Sequence, residues 1–150
     1  MLIAFIISVL IIVIDQITKF CLYGMSCSLI GDFLWLESTL NTGVAFSMFE
    51  GKSIFFFVIA MIASAVMIYL ICSKKWLKIK TEKMAIALIL GGTISNAIDR
   101  LVFGGVRDFI YLKFMNFAIF NVADMAITIG AVLFCVAIIF MRDRKKDVGT

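Results

Sequence analysis

N-A-I-D-R (96–100), G-G-V-R-D-F (104–109) and F-N-V-A-D (120–124) are the stretch around which this chain is organised. They gather Asn96, Asp99, Arg100, Asp108, Asn121 and Asp124 into one short reach of a sequence that is 63% hydrophobic. Charged groups at membrane depth are costly, so they pair, line a wet cavity or take part in chemistry. Asp108 and Asp124 have no basic neighbour along the sequence other than Arg107. They are read as two carboxylates working together on one peptide bond.

Outward from that stretch the chain is mostly apolar. Its 150 residues include no proline, and the mean hydropathy is +1.12. Such a composition belongs to an integral membrane protein, here one compact membrane domain, residues 1–150. Four apolar spans are expected, at about 2–23, 53–72, 84–103 and 117–141. Each is long enough to cross a hydrocarbon core of about 30 Å at about 1.5 Å per residue. The first is read as a retained helix, because no basic segment precedes its apolar run and no small-x-small site follows it. Residues 24–53 break the pattern. F-L-W-L-E-S-T-L and V-A-F-S-M-F read as two short extended runs about an Asn41-Thr42-Gly43 turn. They form either an interfacial connector or a cradle whose strand edge pairs with an extended peptide. The expected fold is an all-α, four-helix transmembrane bundle with a small extracytoplasmic β-like cradle and loop.

Charge placement orients the bundle. Lys74, Lys75, Lys78, Lys80 and Lys83 follow the second span, and Arg142, Arg144, Lys145 and Lys146 follow the fourth, nine of the fourteen basic residues. The positive-inside rule puts both segments in the cytoplasm, and four spans then put the N-terminus there as well. Asp15 and Lys19 fall late in an outward span, Asn96, Asp99 and Arg100 late in another, and Asn121 and Asp124 early in an inward one. All three groups reach the extracytoplasmic half of the membrane. Asp15 and Lys19 are spaced for a helical ion pair with the acid first, while Asn96, Asp99 and Arg100 share one helix face. Asp99 and Arg100 are expected to pair with each other. Gly91 and Gly92 permit close helix approach, and Gly104 and Gly105 permit a reversal that returns Asp108 toward Asp124.

The absence of histidine excludes Ser-His and Cys-His nucleophile systems, H-E-x-x-H zinc sites and histidine proton shuttles. Cys21, Cys27, Cys72 and Cys135 show no C-x-x-C spacing, and the last two read as small packing residues. The lysines flank apolar spans without interleaved stacking aromatics, so nucleic acid is not an expected partner. Two carboxylates in a poorly solvated site cannot both ionise easily, so the pair offers an acid and a base together. Such a pair needs no metal and no cofactor. On spacing alone three readings stay open: a dyad protease, a small proton-coupled transporter or ion-handling protein, and polar glue in an assembly subunit.

Five blocks narrow the choice: D-Q-I-T-K from Asp15, N-T-G-V-A-F from Asn41, G-G-T-I-S-N-A-I-D-R from Gly91, G-G-V-R-D-F from Gly104, and F-N-V-A-D from Phe120. In that order, over nearly the whole chain, they resemble lipoprotein signal peptidase, the signal peptidase II family of bacteria. Ser95 departs from the family, which usually has glycine there, but serine is small enough to keep helices close. The resemblance implies an intramembrane aspartyl endopeptidase of the bacterial cytoplasmic membrane. Its substrate is a prolipoprotein already carrying diacylglycerol on a cysteine, cleaved just before that cysteine. The resemblance also implies Asp108 and Asp124 as the catalytic pair. Asp15, Lys19, Asn41, Asn96, Asp99, Arg100, Asn121 and Ala123 are the supporting or substrate-contacting positions. It further implies inhibition by globomycin-type cyclic peptides. Membrane lipids are expected contacts, and a monomer is the expected state.

Overall fold

The computed structural model describes residues 1–43, 51–73 and 75–141. Among the described residues, four helices are long and apolar enough to cross a membrane: α1 (Leu2–Cys21), α2 (Ser53–Cys72), α3 (Lys80–Phe103) and α4 (Val122–Val136), the last continued by a π-helical turn, Ala137–Met141. Their outward faces carry exposed side chains such as Ile6, Leu10, Ile54, Ile62, Val132 and Phe140. A contiguous apolar surface of this kind calls for lipid as the solvent.

The bundle is built on α3, which packs against α1, α2 and α4. Half of its apolar stretch lies inside the protein, against 22% for each of the other three helices. Small residues explain the difference. Gly91 and Gly92 are neighbours on α3 and therefore point about 100° apart. A side chain at Gly91 would strike Ser8 O at 2.7 Å, and one at Gly92 would strike Ala123 O, so each glycine admits a different helix, α1 and α4 respectively. Gly130 of α4 repeats the device against Ala85. At the opposite end from the polar cluster, Ala4, Met67, Ile71, Leu77, Ile86, Ala87 and Leu90 form the apolar core.

Three strands cap the other end: β1 (Ser26–Ile30), β2 (Leu34–Asn41) and β3 (Val106–Leu112), antiparallel in the order β1-β2-β3. Gly104, with φ +69°, ends α3 in the left-handed region open to glycine and turns the chain into β3. Thr39 pairs with Asp108 and Leu40 with Arg107, so β2 lies alongside the second acidic block.

Several boundaries differ from the sequence reading. The first helix stops at Cys21, two residues early. The third starts at Lys80, not at 84, because the Glu82 carboxylate accepts the N–H groups of Lys78 (2.5 Å) and Ile79 (3.1 Å) and caps an earlier turn. The fourth starts at Val122, not at 117. Phe120 is extended and bridges Ile110, exchanging hydrogen bonds of 2.8 and 3.0 Å. The expected run 33–40 is a strand, but its partners are β1 and β3, and the run 44–49 lies outside the described residues. Asp108 sits in a strand rather than a loop. Cys72 and Cys135 are exposed on the apolar surface and fill no core, and all four cysteines are free thiols.

Candidate active site

Two polar layers meet where α1, α3, β3 and α4 converge. The inner layer is ionic and shut off from solvent. Lys19 lies 2.7 Å from Asp15 Oδ2 and 3.2 Å from Asp99 Oδ2. Asp99 in turn holds Arg107, whose Nη2 lies 2.8 Å from Oδ1 and whose backbone N–H donates to Oδ2 at 2.9 Å. Asp15, Lys19 and Asp99 are all at most 1% exposed. Losing one member of such a buried pair costs roughly 3–5 kcal/mol, because the partner charge is stranded. The remaining lone pairs are also used. Asp15 accepts from Ser95 Oγ at 2.7 Å and from the Ala123 N–H at 2.8 Å. Gln16 donates to Asp99 Oδ1 at 2.9 Å and accepts from Arg107 Nη2 at 2.8 Å. This layer ties α1, α3, β3 and the start of α4 into one unit.

The outer layer holds the two remaining acids. Asn121 is the N-cap of α4, and its Oδ1 accepts the Asp124 N–H at 2.8 Å. Its Nδ2 donates to Asp108 Oδ1 at 2.6 Å. Asn41, at the end of β2, donates to Asp108 Oδ2 at 3.2 Å. Asn96 donates to Asp124 Oδ1 at 2.8 Å. Both carboxylates line one cavity of about 550 Å³, together with Asn41, Asn96 and Arg100. Its other wall is apolar, including Phe117, Ile119, Met125 and Ile129. Burial, and then the charge of Asp124, push the Asp108 carboxyl up to about 7, against the pull of hydrogen bonds from Asn41 and Asn121. The arrangement offers a proton holder, a carboxylate and several fixed N–H donors around a space open to water and a peptide.

The family described as Signal peptidase (SPase) II matches residues 7–140. The chain belongs to the signal peptidase II family. A lipoprotein signal peptidase of Enterococcus faecalis is 40% identical over 146 residues, 94% of this chain and 89% of that one. One from Shouchella clausii is 40% identical over 148 residues, 95% of this chain and 97% of the other. A solved structure titled as a bacterial membrane enzyme superposes with a TM-score of 0.81 at 32% identity, covering 95% of this chain and 90% of that one. A second of the same description gives 0.79 at 33% identity, covering 91% and 92%. The chain is thus a multi-pass membrane peptidase of this family, and nothing in these relationships favours a transporter.

The structure brings the sequence-derived residues together at one end of the bundle, with one reassignment. Asp99 pairs with Lys19 and Arg107, not with Arg100. Arg100 instead donates to Asn96 O at 3.4 Å, lies 5.9 Å over the Phe56 ring, and faces the cavity. The reason is directional: Arg100 is one residue on, about 100° round the helix from Asp99. Ala123 contributes its backbone N–H and a fully buried methyl. Gln16 and Arg107 were not singled out as site residues from sequence. A polar side chain inside an apolar span was the available signal for Gln16; Arg107 needed the strand reversal to find Asp99.

Proposed function

We propose that this chain is an intramembrane aspartyl endopeptidase that removes the signal peptide from diacylglyceryl-modified prolipoproteins, cutting just before the lipidated cysteine. Asp108 and Asp124 form the catalytic pair. The observation that carries this reading is that both acids, each held by asparagine N–H donors, open on a single cavity with one polar and one apolar wall. The chain works as one membrane domain and as a monomer.

The buried charges argue for one proton on the pair. Lys19, Arg100 and Arg107 stand against Asp15, Asp99, Asp108 and Asp124, so a single proton leaves the cluster neutral. Burial and the acidic neighbour favour the protonated form of Asp108, and the proposed step starts with the pair's shared proton on that side. Asp124 then acts as base and takes a proton from water, while the water oxygen bonds to the scissile carbonyl carbon. Asp108 donates a hydrogen bond to the developing oxyanion. Collapse of the intermediate breaks the C–N bond, and the proton gathered by the pair passes to the leaving amine of the lipidated cysteine. The products are a carboxylic acid and an amine, which then exchange a proton to become carboxylate and ammonium, and the pair returns to one shared proton.

The apolar wall suits a substrate whose acyl chains stay in lipid while its peptide bond enters from the side. Membrane lipids are therefore contacts as well as solvent. A cyclic peptide of the globomycin type would compete for the same cavity. The lysine-rich connector between α2 and α3 and the basic C-terminal segment support cytoplasmic termini in the bacterial inner membrane, with the sheet and the cavity on the outer side.

The test is cleavage of a diacylglyceryl-modified precursor by purified protein. Wild type should release the signal peptide, and Asp108→Asn and Asp124→Asn should each abolish release while remaining folded. Undiminished turnover by either variant would remove the pair from the mechanism.

A further inference from the structure

Lys19 takes no direct part in the mechanism above, yet it is the most deeply buried cation of the site, 1% exposed. An ammonium has three protons and no lone pair. Its Nζ forms ion pairs with Asp15 Oδ2 (2.7 Å) and Asp99 Oδ2 (3.2 Å) and donates a hydrogen bond to Asn96 Oδ1 (2.9 Å). The last of these bears on catalysis. A carboxamide is nearly symmetric in shape, so Asn96 could present either its oxygen or its nitrogen to Asp124. Facing a group that can only donate, it must turn its oxygen toward Lys19. Its Nδ2 is thereby aimed at Asp124 Oδ1, 2.8 Å away.

The constraint extends one residue further. Asn96 Oδ1 also accepts from Asn121 Nδ2 at 3.2 Å, the same nitrogen that donates to Asp108 Oδ1 at 2.6 Å. A flipped Asn96 would set its N–H donors against both Lys19 and Asn121, and its oxygen against the Asp124 carboxylate. Both acids would lose or loosen a donor.

We propose that Lys19 is a positioning residue: it holds Asn96 in the one orientation in which Asn96 donates to Asp124 and steadies Asn121 as the donor to Asp108. This rests on reading Asp108 and Asp124 as the catalytic pair. It differs from a purely structural role, in which Lys19 only neutralises Asp15 and Asp99.

A double-mutant cycle separates the two roles, because residues acting through one contact show non-additive losses. Lys19→Met, Asn96→Ala and the double variant are compared in steady-state cleavage of a synthetic diacylglyceryl precursor peptide, each with a melting curve. Since Lys19→Met strands two carboxylates, the cycle is repeated in an Asp15→Asn background that restores the charge count. The expected result is a loss in kcat on the order of a hundredfold for each single variant, with KM little changed and the double variant no slower than Asn96→Ala alone. Multiplying losses, a change confined to KM, or failure of the charge-balanced variant to fold would each make Lys19 a structural pillar and overturn the proposal. Absence of wild-type cleavage, or full activity in Asp108→Asn or Asp124→Asn, would instead overturn the reading beneath it.

Discussion

Asn121 and Asp108 are joined by a 2.6 Å hydrogen bond, and the same asparagine caps the helix whose first turn carries Asp124. One residue thus serves both acids: its Nδ2 donates to the Asp108 carboxylate, its Oδ1 accepts the Asp124 backbone N–H, and its own backbone N–H donates to Asp124 Oδ2.

Replacing Asn121 should therefore cost two things at once. Asn121→Ala removes the cap of α4, worth about 1 kcal/mol, and a fixed donor to Asp108, one of the proposed catalytic pair. The expected loss in kcat is on the order of a hundredfold. Steady-state cleavage together with a melting curve checks it; a variant with normal kcat would show that the donor to Asp108 is idle.

Asn41 tests the electrostatics from the other side. Its hydrogen bond lowers the pKa of Asp108 against the upward push of burial. Asn41→Ala should move the alkaline limb of the kcat/KM profile to higher pH. A limb that stays in place, or moves down, would contradict the assignment of that limb to Asp108.

The raised Asp108 also carries a stability signature. Its ordinary value is 3.8 and its native one about 7, so between these limits the native state binds the proton and the unfolded chain does not. Stability then falls as pH rises. The contribution is whole below about pH 4 and gone above about pH 7, up to roughly 4 kcal/mol at about 1.4 kcal/mol per unit. Wild type should lose melting temperature relative to Asp108→Asn across that window, and parallel curves would refute it.

Ser95 is buried on α3, and its hydroxyl is in use. It donates to Asp15 Oδ2 at 2.7 Å and accepts from Gln16 at 3.0 Å. Ser95→Ala should destabilise the protein by about 1–3 kcal/mol, the cost of leaving buried partners short. Turnover per folded molecule should hold, as read from denaturation and cleavage on the same preparation.

The sequence was most legible where one physical rule acts alone. Hydropathy and length found the four helices, and helical spacing found the Asp15–Lys19 pair and the face shared by Asn96 and Asp99. It was least legible where two rules compete. The apolar run 117–121 reads as helix, but the bridge from Phe120 to Ile110 and the Asn121 cap draw it into extended backbone. Asp99 was matched to Arg100 by proximity along the chain, whereas its partners come from α1 and β3 across the bundle. Long-range ion pairs leave no periodic trace in a sequence, so the roles of Gln16 and Arg107 are visible only in the folded protein. The role of Ser95 was hidden for a similar reason: small size explained it well enough that its hydroxyl drew no notice.

The Phe120–Ile110 bridge has a mechanical consequence. It fastens the strand bearing Asp108 to the segment that leads directly into the turn bearing Asp124. The gap between the acids is thereby set by a short backbone clasp rather than by the tilt of separate helices. A thicker or thinner bilayer, which helices meet by leaning, would rock the clasp as a unit and leave the distance across it unchanged.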